Sequence, residues 1–174
     1  MTPEEQKLCR DLVITPSRGA RQISKEEFLR QFPSAIERGK LALRLLEEAS
    51  KAQNAEDLQC AIIVGHAFGF APEHLDILSR LVDVDWHYSH EDIVSALQTW
   101  PTADTVDALF CATQWIPKSL EYDDSRALAV KAIWALGKIP GAEAETKLEA
   151  LARSDNAILR KTAEEQLERR HKTT

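Results

Sequence analysis

Two histidines and a run of carboxylates stand close together between residues 83 and 92 of this 174-residue chain. His87 and His90, with Asp83 or Asp85, offer the imidazole nitrogens and carboxylate oxygens that zinc accepts. Their spacing belongs to no metal motif, and no His-Glu-x-x-His is present, so no metal is expected. Both histidines are instead read as titrating groups at an interface. The carboxylate pairs Asp83/Asp85 and Asp123/Asp124 are of the kind that divides acid–base work. No Gly-x-Ser-x-Gly elbow, phosphate loop, dinucleotide fingerprint or Cys–His pairing accompanies them. The expectation is therefore a non-catalytic protein without a cofactor. His66, inside an apolar stretch, reads as a hydrogen-bonded core residue, and His74, early in a helix, as an exposed one.

The charge around these residues is unevenly spread. Residues 56–125 carry 13 acidic side chains against only Arg80 and Lys118, a net of −11. The flanks, 1–55 and 126–174, are net +2 and +3, so the formal charge of the whole chain is −6. The same middle segment holds Trp86, Trp100 and Trp115 and both tyrosines, Tyr88 and Tyr122. Aromatic anchors beside carboxylates suit a surface that captures a basic partner: rings supply contact area and charges steer the encounter. The expected surface carries Asp83, Asp85, Trp86, His87, Tyr88, His90 and Asp92 from one loop. Glu121, Tyr122, Asp123 and Asp124 join from another. Asp83, Asp85, Asp92, Asp123 and Asp124 would form a continuous rim with Trp86 and Tyr88 at its centre. Asp92 and Asp104 also stand near helix starts, where the backbone dipole favours an anion. A general nucleic-acid binder is excluded, because the concentrated charge has the wrong sign for phosphate.

Positioning these residues falls to helices. With 6 Gly and 7 Pro among 174 residues, an all-β chain of many tight turns is disfavoured. From about residue 34 the apolar side chains recur at three- and four-residue spacing, the helical period. A helix over 124–139 would bury Leu128, Ala132, Ala135, Leu136 and Ile139, capped by Asp124 or Ser125. A second follows with Leu148 and Leu151 inward. A third, capped within 154–156, carries Ile158, Leu159, Ala163 and Leu167. A shift of about 31 residues superposes Asp124 on Asp155, Leu128 on Leu159 and Ala132 on Ala163. A shift of about 39 superposes Ala96 on Ala135, Leu97 on Leu136, Pro101 on Pro140 and Leu109 on Leu148. An earlier pair spans 56–68 and 73–82. A period of about 30–40 residues with two helices per unit marks an α-solenoid.

Residues 1–55 follow another plan: a short helix over 3–12, a polar loop over 15–19, and a capping box at Ser24 and Glu27. A helix face of Phe28, Leu29 and Phe32 stops at Pro33, and a longer helix over 34–51 follows. This segment is expected to cap the repeats of 56–174 within a single compact domain. Cys9, Cys60 and Cys111 stand far apart and are read as three small buried apolar residues. The start of the chain has no basic, apolar leader and no stretch spans a bilayer, so a cytoplasmic protein is expected.

The stretch 124–170 resembles the short HEAT-like repeats of phycobilisome-lyase-type proteins. The residues that carry the likeness are Asp124 and Asp155, Ala132, the run Ala135-Leu136-Gly137-Lys138-Ile139, and Leu148 with Leu151-Ala152. The resemblance implies an all-α, right-handed solenoid of helical pairs, and protein–protein binding more often than catalysis. With the acidic surface, the expected role is an inhibitor, such as an immunity protein of bacterial type that blocks a basic toxin or enzyme site. The other reading is a scaffold or lyase-like chaperone holding a client or cofactor in its concave face. No nucleic-acid or membrane partner is expected.

Overall fold

Where the apolar period is helical, the backbone is helical. The computed structural model describes residues 1–13, 22–32, 37 and 39–173. Those residues form ten α-helices, three short 3₁₀ turns and no strand. The expected loop at 15–19, the stop at Pro33 and the first residues of the expected 34–51 helix lie outside the described residues. No helix among the described residues is long and apolar enough to cross a membrane. The chain divides into two compact units, Met1–Ile77 and Leu78–Thr174. The boundary expected after residue 55 therefore lies inside the first unit.

The first unit contains α1 (Pro3–Arg10), α2 (Lys25–Gln31), α3 (Lys40–Ala52), α4 (Ala55–Phe68) and the start of α5 (Leu75–Leu81). Thr2 and Glu5 make a full capping box for α1. At α2 the Ser24 hydroxyl accepts from the Glu27 amide at 3.1 Å, which is the expected cap. The expected long helix begins at Lys40, where Gly39 sits at φ +71°. A side chain on Gly39 would also meet the His74 ring at 2.7 Å, so the close approach there requires glycine. Leu41, Leu45, Leu46 and Ala49 are buried as their spacing requires. Gln53 in the left-handed region turns the chain straight into α4, whose first amides Asn54 caps.

Two histidine readings reverse. His74 is 1% exposed and donates from Nε2 to the Gly39 carbonyl at 3.2 Å, while Nδ1 accepts from the Ala71 amide. His66 is exposed and meets Phe70 edge-on, 5.1 Å between centroids. The cysteines also divide. Cys9 on α1 and Cys60 on α4 are buried as α1 packs on α4, the Cys60 thiol donating to the Gln6 carbonyl at 3.7 Å, and Cys111 is exposed.

The second unit contains α6 (His90–Leu97), α7 (Val106–Gln114), α8 (Ala127–Lys138), α9 (Ala142–Leu151) and α10 (Ala157–Thr173). Helix α8 packs against α6, α7, α9 and α10, and α9 packs against α7 and α10. The expected inward set of α8 is buried throughout, from Leu128 to Ile139. Truncating a leucine such as Leu97 or Leu136 in this core would cost about 2–5 kcal/mol. Helix α10 differs in part: Leu159 and Ala163 are buried, Ile158 and Leu167 are half-buried, and Thr162 and Gln166 fill the remaining inward positions. The expected cap of α8 is also displaced. Asp123, rather than Asp124 or Ser125, accepts from the Ala127 amide at 2.6 Å.

Candidate functional site

The loop after α5 is held by its histidines. An irregular backbone leaves carbonyls without ladder partners, and buried carbonyls need donors. His87 Nε2–H donates to the Leu81 carbonyl at 2.9 Å, and its Nδ1 accepts from the Ser89 amide at 3.2 Å. His90 Nε2–H donates to the Val84 carbonyl at 2.8 Å. The two rings stack, with centroids 4.2 Å apart. Trp86 meets His87 edge-on and Trp115 meets His90 edge-on, each at 4.8 Å. Four rings from two loops therefore make one cluster.

This geometry corrects the reading of His87 and His90 as titrating interface groups. They are 5% and 0% exposed. Burial first, and then the neighbouring His90 ring, push the His87 pKa down to about 4. Burial likewise lowers His90. Both rings are neutral at pH 7, and His90 Nδ1 and Ser89 Oγ are buried without hydrogen-bond partners. Trp86 is half-buried beside them rather than standing at the centre of an exposed surface.

With the rings inward, the loop's other side chains point out. Asp83, Asp85 and Tyr88 are exposed, Tyr88 by 52%. The second loop begins at Trp115 and reaches the first through Lys118, whose Nζ lies 3.6 Å from Asp85. A shallow cavity of about 240 Å³ lies between them, lined by Asp85, Trp86, Tyr88 and residues 117–119. Further along, Glu121 and Asp124 are exposed, and Tyr122 is 94% exposed. Asp123 is occupied locally. Its Oδ1 accepts from the Ser125 amide and hydroxyl, and its Oδ2 caps α8. These donors, the Ser125 hydroxyl foremost, hold the Asp123 carboxyl below the usual range. Asp92 stands exposed on the first turn of α6.

Several acids of the −11 segment are matched by lysines outside it or within it. Glu91 pairs with Lys131 at 3.1 Å, Asp107 with Lys147 at 2.8 Å, and Asp85 with Lys118. Among the described residues, Asp83, Asp92, Glu121 and Asp124 have no ion pair. Those four carboxylates and the two tyrosines are exposed. The structure brings Asp85, Trp86, His87 and Tyr88 together with residues 117–119. It assigns His87, His90 and Asp123 to holding the backbone.

Sequence reading missed Lys118 and Trp115 as parts of this arrangement, because the link between the two loops is a tertiary one. It also missed a larger cavity of about 740 Å³ beside Trp134, walled by residues from α8 and α10 that are far apart in the chain. Compared with family models, curated proteins and solved structures, the chain matches none.

Proposed function

We propose that the chain is a protein-binding module whose acidic, tyrosine-bearing loops dock a basic protein. We propose further that its helical pairs form a HEAT-like, right-handed solenoid, and that the module acts as an inhibitor of the immunity type, covering a cationic site on a toxin or enzyme. One observation carries the binding reading. Asp83, Asp92, Glu121 and Asp124 lack ion pairs among the described residues, and Tyr88 and Tyr122 project beside them in the same two loops and the adjoining helix start. Asp92 gains from the dipole at the start of α6, but unpaired surface carboxylates otherwise repel one another, so a cationic partner is their natural complement. The two tyrosines supply contact area with little rotamer entropy to lose.

The test is capture from an extract of the source organism, run side by side with a D83K/D92K/E121K/D124K variant. A basic protein held by the unaltered chain, released at high salt and bound at least about tenfold more weakly by the variant is the expected result. Equal capture by a variant of unchanged helix content overturns the binding reading. Adding the chain to the captured protein should then suppress that protein's own activity. Undiminished activity in the complex removes the inhibitor role and leaves the docking role standing.

A further inference from the structure

The second unit also presents aromatic and charged groups together at a cavity of about 740 Å³ at the C-terminal end of α8. Helix α8 buries Ala132, Ile133, Ala135 and Leu136, yet Trp134 between them is 37% exposed. Beyond it the chain leaves the helix at Ile139 and Pro140, which give the cavity an apolar wall. Helix α10 crosses close behind. Gly137 permits this approach, since a Cβ there would lie 2.5 Å from Gln166 Oε1 and 3.0 Å from its Cγ.

The polar lining has one dominant sign. Among the described residues, Lys138, Arg169, Arg170 and His171 border the cavity, against one carboxylate, Glu145. Arg170 is engaged with the chain itself: it donates to the carbonyls of Ile139 and Gly141, and Glu145 lies 3.9 Å away. It closes the end of α8 and still leaves its charge at the cavity. Arg169 lies over the Trp134 ring, 4.3 Å from its centroid. Gln166, 4% exposed, borders the cavity, and its Nε2 has no hydrogen-bond partner. A buried amide donor without a partner carries a cost that a ligand oxygen reaching it would relieve.

We infer that this cavity is a binding site for a carboxylate joined to a flat apolar group. The flat group lies against Trp134 and the Ile139–Pro140 wall. The carboxylate is drawn by Arg169 and Lys138, with the Gln166 amide as a further donor at the floor. A volume of about 740 Å³ falls within the range of small-ligand sites. Two sources share this chemistry: a free aromatic acid, and the C-terminal carboxylate of a peptide ending in an aromatic residue. The site is separate from the acidic loops and does not depend on their role.

The test uses the full chain and titrates tryptophan fluorescence, confirmed by calorimetry, with four probes. These are 2-naphthoate, the neutral 2-naphthamide, a peptide ending in phenylalanine with a free carboxylate, and the same peptide amidated. The expected result is saturable binding of at least one acid, at least about tenfold weaker for its neutral counterpart. The variants R169Q and W134F should each lose about tenfold or more of that affinity, with helix content unchanged. Binding of the free acid alone identifies a small-molecule site, and binding of the acid peptide identifies a chain-terminus site. Failure of both acids to saturate, or equal affinity for acid and amide, overturns the inference. So does unaltered affinity in both variants.

Discussion

The acidic loops and the Trp134 cavity use the same kinds of residue in opposite ways. In the loops the rings turn inward: Trp86 and Trp115 flank the stacked histidines, and the carboxylates face solvent. At the cavity the ring turns outward and a guanidinium lies on it. The difference follows from the backbone beneath. Around Trp134 helix α8 satisfies its own amides and carbonyls, so the ring is not needed to supply or shelter a backbone partner. The loop after α5 has carbonyls at Leu81 and Val84 that need donors, and imidazoles plus rings are recruited to supply and shelter them. The result is one region that is acidic and projecting, and another that is basic and concave. A loop tryptophan that shelters backbone partners is thus poor evidence of a contact surface, unlike the exposed loop residues Tyr88 and Tyr122 or a ring on the outer face of a packed helix.

The largest test of that contrast is pH. A histidine whose folded pKa is depressed binds fewer protons folded than unfolded. Its contribution to stability is complete above the unfolded value of 6.5 and is lost as pH falls toward the folded value. For His87, with a folded value of about 4, the window runs from pH 6.5 down to about 4. The loss over it is about 2–3 kcal/mol from His87, and His90 adds in the same direction. Urea unfolding at stepped pH should show this slope, and an H87Q/H90Q variant should flatten it. A slope that persists in the variant would mean that the loop's rings are not what the loop rests on. Changes at the cavity, such as W134F, should leave the slope as it is.

A smaller effect separates the acids from one another. Asp123→Ala removes the acceptor for the first amides of α8 and should lower the melting temperature by about 2–4 °C. Asp124→Ala, one residue on, should leave it within about 1 °C. Partner capture should show the reverse order, with Asp124→Ala the more damaging. Equal thermal shifts would merge the two acids into one class and weaken the division between structural and displayed carboxylates.

How much of this could be read from the chain depended on whether the physics was local. The faces of α8 and α9 were legible because Leu128, Ala132, Leu136, Leu148 and Leu151 follow the helical period. The helices were placed to within a few residues where side-chain caps mark them, as at Asn54 and Asn156. The start of α3 was not, because Gly39 turns the chain by a left-handed backbone and close contact with His74, and neither appears as a cap in the sequence. His66 and His74 exchanged roles for a similar reason. Which face of a short helix is covered depends on what packs on it, and the Gly39 carbonyl that holds His74 lies 35 residues away. The acidic loops were visible by composition, since charge needs no structure to be counted. Their division into paired, capping and displayed acids required Lys118, Lys131, Lys147 and the Asp123 turn to be in place. The Trp134 cavity had no sequence signal, because its cations and its ring are brought together only when α10 packs on α8.

The smallest expected effect bears most directly on whether that cavity exists for a ligand. Arg169 is exposed and rests on the Trp134 ring. A cation over an aromatic face at an exposed site contributes about 0.5–1 kcal/mol. Arg169→Gln retains the aliphatic stem and helix propensity while removing the charge. The ring contact should therefore account for only about 0.5–1 kcal/mol of any loss seen in urea unfolding. A residue with so little effect on folding, yet a tenfold effect on anion affinity, is one whose charge serves the cavity and not the fold. If the substitution instead costs several kcal/mol, Arg169 and Trp134 form a structural clasp between α8 and α10. The two regions would then differ in sign of charge but not in kind, both using their rings to hold the chain together.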